Sequence, residues 1–151
     1  MYTPILFLHI MSAIIWIGGM IVVRGVVYPI LQNIQDDSIR IPQILAIINR
    51  LFQFVLPFIF FLIITGTLMA NKGFVTSFLK PFIYVKEGIW TLMLINFILM
   101  YFKHKKVEEI YQEAPIEAKS ELRFISFVLL PLNIFFGISA IFFGVALRGI
   151  F

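Results

Sequence analysis

LFLHIMSAIIWIGGMIVVRGVVYP, residues 6–29, is apolar almost throughout yet carries a histidine near its start and an arginine near its end. About 20 apolar residues rising 1.5 Å each suffice to cross the hydrocarbon core of a bilayer. An ionisable side chain inside such a span costs about 3 kcal/mol or more unless it is paired, bound to something or snorkelling to the interface. This stretch holds two, His9 and Arg24, and they are the first candidates for function.

Composition points the same way. The chain has 151 residues, 61% of them hydrophobic and only 13% charged, with a mean hydropathy of +1.01. A soluble domain carries about 25% charged residues, so lipid is the expected solvent for most of this surface. The N-terminus lacks the basic start and small-residue cleavage site of a signal peptide, and its apolar run is too long for one. Cysteine is absent, which excludes disulfides, thiolate metal sites and thiol catalysis. The net charge of +4 fits loop lysines facing the cytoplasm. No basic stripe interleaved with aromatics is present, so nucleic acid is not an expected partner.

Four apolar spans are read at about 3–31, 51–70, 82–102 and 124–147, the second broken by Pro57 and the fourth containing Pro131. Residues 32–50 form a short amphipathic connection and 71–81 a short one with Lys72, Gly73 and Lys80. Residues 103–123, KHKKVEEIYQEAPIEAKSELR, form a charged cytoplasmic loop with helical character and a break at Pro115. Arg40, Arg50, Lys103, Lys105, Lys106, Lys119 and Arg123 collect on one side, against Lys72, Lys80 and Arg148 on the other. The excess marks the first side as cytoplasmic and places both termini outside. The expected fold is all-α: a single transmembrane domain forming an integral membrane, antiparallel four-helix bundle. The bacterial inner membrane is its expected location.

In that topology His9 and Lys86 lie at similar depth in the outer leaflet, with Glu87 beside Lys86 and with Thr65, Thr67 and Met69 at the same level. Below His9, Ser12 or Ala13, Trp16 and Met20 follow on one helix face. Two readings of this layer stay open. His9 binds a metal or heme iron while Lys86 meets an anionic group or moves a proton; or His9 hydrogen-bonds across the bundle while Lys86 and Glu87 snorkel. Adjacent residues point about 100° apart on a helix, so Lys86 and Glu87 do not both face one cavity. On the opposite side Arg24, Tyr28, Arg50 and Gln53 form a second polar layer or an ordinary interfacial anchor. His104 is expected to be solvated in the basic loop. Gly18, Gly19, Gly137, Ala140 and Gly144 suit close helix packing.

Hydrolytic and nucleotide-binding motifs are missing: there is no His-Glu-x-x-His, no Ser/His/Asp set and no phosphate-cradling glycine loop. His9 and His104 are read on opposite faces of the membrane, so one protomer does not supply two histidines to one heme. A second iron ligand would come from Met69, Met11 or a partner chain.

The ordered set His9, Trp16, Gly19, Arg24 and Tyr28 resembles the first helix of the HemJ-type protoporphyrinogen IX oxidases and the wider membrane group that includes CopD-like proteins. Arg50-Leu51 followed by Pro57 and Gly66, then Tyr84-Val85-Lys86, then Arg123-Phe124, are similar to that family's later helices. The chain departs from the pattern in four places. Its Trp-to-Arg interval is one residue shorter, and Val23 replaces a Pro. Asn96 and Phe97 stand where histidines are usual, and Ser126-Phe127-Val128-Leu129 replaces an Asn-Glu-x-Pro. The resemblance implies a heme b cofactor with His9 as iron ligand and Trp16, Arg24 and Lys86 as contacts to the cofactor. It implies Lys86 as a catalytic residue, and porphyrin or heme as ligand. The implied activity is oxidation of protoporphyrinogen IX to protoporphyrin IX, or electron transfer, with a homo-oligomer or respiratory-chain partner. The alternatives are a CopD-like copper-handling protein, against which the scattered methionines argue, and a non-catalytic membrane subunit.

Overall fold

A computed structural model describes residues 3–70 and 80–149, with side chains except at positions 70, 80–82 and 147–149. The connection carrying Lys72 and Gly73, and the side chains of Lys80, Phe82 and Arg148, lie outside the described residues. Among the described residues every regular element is helical. Helix α1 (Thr3–Val22) passes through a π-helical turn (Val23–Val27) into α2 (Tyr28–Gln32). Then come α3 (Asp37–Ala70) and α4 (Lys80–Ile110). Helix α5 (Pro115–Phe124) passes through a second π-helical turn (Ile125–Leu129) into α6 (Leu130–Gly149). Four stretches, Thr3–Gln32, Asp37–Met69, Ile83–Ile110 and Pro115–Ala146, are long and apolar enough to cross a membrane.

The two π-helical turns have one cause. Pro29 and Pro131 each follow a turn by two residues, and a proline ring clashes with the carbonyl four residues back while offering no N–H. Widening the preceding turn relieves that clash. The backbone N–H groups of Tyr28 and Leu130 accordingly reach back five residues, to the Val23 and Ile125 carbonyls. Pro42 and Pro57 behave differently, lying inside an uninterrupted α3. Pro57 therefore does not break the second span.

Helix α1 packs against α3 and α6, and α4 against α6, α5 and α3. The core is tied by an edge-to-face aromatic ladder: Trp16 to Phe97 at 5.7 Å, Phe97 to Phe52 at 5.0 Å, and Phe52 to His104 at 5.5 Å between centroids. Edge-to-face geometry sets the positive ring edge of one partner against the negative face of the next. Outside this core, Phe7, Phe54, Phe60, Phe102, Phe135 and Phe142 point outward. So many exposed large apolar side chains suit a lipid environment rather than water.

Helix α3 begins well before the apolar span read from position 51. Its extra turns are amphipathic and bury Ile41, Ile44, Leu45 and Ile48. Helix α4 likewise continues through the segment expected as a loop, and this changes the reading of His104. That residue is fully buried rather than solvated. It continues the inward face set by Met93, Phe97 and Met100, and Val107 follows; the spacing is helical. The break falls at 111–114, and Pro115 opens α5 where its missing N–H costs nothing. Helices α4 and α5 are laced by ion pairs from Lys103 to Glu121 (2.6 Å) and from Lys106 to Glu117 (2.8 Å) and Glu121 (3.1 Å).

Two predictions follow from packing and capping. A β-carbon at Gly137 would sit 2.7 Å from Ile17 Cγ1 and 3.2 Å from Met93 Cε, whereas one at Gly18 would meet nothing within 4 Å. Gly18 is thus not a packing glycine, and Gly137 sits at a three-helix contact. Gly137→Ala should destabilise by about 1–3 kcal/mol, while Gly18→Ala should be neutral or stabilising by up to about 1 kcal/mol. Thermal unfolding in detergent separates the two; equal midpoints would refute the contact. At the start of α3, Asp36 accepts from Ser38 N–H (2.9 Å) and Ser38 Oγ–H (2.7 Å), capping the helix. These bonds hold its carboxyl below the usual carboxylate range. The stabilisation is therefore complete above the unfolded-state value and is lost as pH falls through the lower folded-state value. Amide hydrogen-exchange protection at Ser38–Arg40, measured relative to the intrinsic rate at each pH, should fall at acid pH in the native chain and show no such loss in Asp36→Ala.

Candidate functional site

His9 sits in the second turn of α1, beside the last turns of α3. Thr65 is 3% exposed there, and its Oγ1–H donates to the Phe61 carbonyl at 2.6 Å, with the Leu62 carbonyl at 3.3 Å. A hydroxyl has one proton to give. Thr65 Oγ1 is therefore the acceptor in its 2.8 Å contact with His9, and His9 Nδ1–H is the donor. In this relay the His9 Nδ1–H faces Thr65, and Nε2 is the ring's other nitrogen. Gly66 borders the ring, and a β-carbon there would lie 3.6 Å from His9 Cε1, an ordinary contact.

The α1 face below His9 is settled by burial. Ser12, Trp16 and Met20 are each at most 1% exposed, so Ser12 rather than the half-buried Ala13 continues the inward face. Ser12 Oγ and Trp16 Nε1 have no hydrogen-bond partner among the described residues. Met20 Sδ accepts from Asn133 Nδ2 of α6 at 3.3 Å, while Asn133 Oδ1 has no such partner. Unmet polar atoms of this kind are the sort that ordered water or a ligand satisfies.

Lys86 is half-buried on α4, and its Nζ lies beside Gly144 of α6, 3.5 Å from where a β-carbon would stand. Glu87 is exposed, as the angular offset of neighbouring residues requires. Thr67, also exposed, donates to the carbonyl of Ile63 at 2.8 Å. The layer read from sequence thus resolves into His9 with Thr65 on the α1–α3 side and Lys86 with Gly144 on the α4–α6 side.

The second polar layer changes membership. Arg24, in the first π-helical turn, lies over the rings of Phe127 (4.8 Å) and Tyr28 (5.7 Å), a cation–π arrangement. Its Nε is buried without a hydrogen-bond partner among the described residues. Arg50 and Gln53 are exposed on α3. Phe127 gave no signal in the sequence, because its partnership with Arg24 depends on two π-helical turns meeting.

Three further buried polar groups escaped sequence reasoning. Asn96 donates from Nδ2 to the Leu129 carbonyl at 2.7 Å, satisfying backbone at the end of the second π-helical turn. Ser126 is buried in that turn. His104 Nε2 lies 3.2 Å from a Glu108 carboxylate oxygen, in poor hydrogen-bond geometry. The continuing apolar period of α4 was the available signal for His104.

Among the described residues, no three His, Cys, Asp or Glu side chains gather to hold a metal ion. No protein-family profile, no curated protein and no solved structure matches this chain.

Proposed function

We propose that the chain is an integral membrane, antiparallel four-helix bundle with both termini outside, binding heme b through His9. The observation that carries the reading is the His9–Thr65–Phe61 relay, in which His9 Nδ1–H donates to a hydroxyl oxygen that is itself anchored on the α3 backbone. Metal-bound histidines ordinarily donate their other N–H to an oxygen acceptor that fixes the ring. The ordered resemblance of the four helices to HemJ-type proteins supports the same reading and suggests oxidation of protoporphyrinogen IX, or electron transfer, as the activity.

In this reading heme supplies one-electron redox chemistry when bound. His9 holds the iron and Thr65 holds His9. Lys86 contributes an ammonium group to a porphyrin propionate or a substrate carboxylate, orienting it by charge. Trp16 and Ser12 line the α1 face beneath, and the Trp16 indole N–H is available to a polar edge or a water molecule. Arg24 neutralises an anionic group at the other end.

Purified protein should show a reducible b-type absorption spectrum with about one heme per chain, and His9→Ala should lose it while remaining helical and membrane-bound. A normal Soret band in His9→Ala would reject His9 as ligand. Thr65→Val removes the acceptor but not the ligand, so it should retain the spectrum and weaken heme affinity by about 10–100-fold. Lys86→Ala should lower porphyrin affinity or turnover more than thermal stability; an unchanged rate in folded protein would leave Lys86 a snorkelling residue.

A further inference from the structure

At the end of the molecule remote from His9, α2, the start of α3 and α5 enclose a groove of about 200 Å³. Arg40, Lys119 and Arg123 line it together with Tyr28, Gln32 and Phe127. Its floor is apolar, formed by α3 and α5 side chains. Asp37 is shared between two of the cations: Lys119 Nζ donates to it at 2.8 Å, and Arg40 pairs with its other oxygen. One carboxylate therefore pairs with two of the three cations that line the groove, leaving positive charge in excess. Arg123 lies 5.8 Å from the Phe127 ring centroid, and Arg24 packs on the same ring from within the bundle.

We infer that this groove binds the phosphate of an anionic phospholipid, with Arg40, Lys119 and Arg123 around the phosphate and the apolar floor beneath the glycerol and first acyl carbons. Charge complementarity selects the anion, and guanidinium groups suit phosphate oxygens geometrically. The apolar floor selects the source: a free phosphate gains nothing from Phe127 and the isoleucines, whereas a lipid buries its upper acyl chain there. The position does too, because the groove lies where the apolar helices give way to their charged ends, the depth of a headgroup. The Lys119–Asp37 bond ties α5 to α3, so an occupied site braces the end of the bundle. The inference rests on bilayer insertion but not on heme binding.

The test compares phosphatidylglycerol with phosphatidylcholine of the same acyl chains, by native mass spectrometry of detergent-purified protein. Wild type should retain phosphatidylglycerol preferentially, Arg123→Gln should weaken it by about fivefold, and Lys105→Gln, a cation outside the groove, should not change it. Asp37→Asn removes the competing carboxylate and should tighten binding, a gain that misfolding does not produce. Equal retention of the two lipids, or no change in both Arg123→Gln and Asp37→Asn, overturns the inference. Displacement of the lipid by equimolar inorganic phosphate overturns the lipid as the source. Membrane fractionation separates the premises: protein in the soluble fraction removes the bilayer reading itself, whereas membrane-bound protein with no lipid preference removes only this site.

Discussion

A bilayer core offers no water, so every polar group placed there must find its partner inside the protein. Several polar side chains on the apolar helices described here meet that demand. Thr67, Thr91 and Ser139 each return their hydroxyl proton to the carbonyl four residues earlier on their own helix. Asn96 spends its amide on the backbone of a neighbouring helix, at a place where a π-helical turn has disturbed the ladder. Thr65 begins with the same self-directed bond and then does something more, offering its oxygen to His9 across the α1–α3 contact. The histidine is affordable in an apolar span because a residue already satisfied as donor still has a lone pair to give.

Apolar association between helices has little driving force in lipid, so shape must supply much of the rest. Gly137 illustrates this, with Ile17 and Met93 converging on the space a side chain would need. The aromatic ladder from Trp16 to His104 then links three helices through the interior. The paired prolines contribute differently. By widening α1 and the α5–α6 junction in matching places, they bring Tyr28 and Phe127 into edge-to-face contact at 5.5 Å and seat Arg24 over both rings.

Much of the helical architecture was legible in the sequence, because apolar length and composition alone identify four candidate spans. The inward face Ser12–Trp16–Met20 was legible for the same reason, and so was Thr65 as a residue at the level of His9. What escaped depends on where a helix continues once its residues turn polar. KHKK reads as a loop by charge, yet His104 keeps the helical period of Phe97 and Met100 and is buried with them. Lysines on either side of it reach outward to Glu108, Glu117 and Glu121, so strong local charge coexists with an apolar inner face. The Arg24–Phe127 contact was invisible because it is long-range and arises from a backbone defect whose geometry composition does not encode.

The two ends of the molecule handle polarity in opposite ways, and this bears on what each can do. Around His9 the partner is a neutral hydroxyl. A carboxylate in Thr65's place would make the imidazole a stronger ligand, but it would put a second ionisable group into an apolar span, at a cost of about 3 kcal/mol or more. The hydroxyl orients the ring without that cost. At the other end, charges are numerous and mostly paired. Arg40, Lys119 and Asp37 are held by one another, and with Arg123 in the same groove cations outnumber the carboxylate. A phosphate at the proposed site would meet preset charges rather than having to organise them, and the less a site must rearrange, the more of its interaction energy appears as affinity.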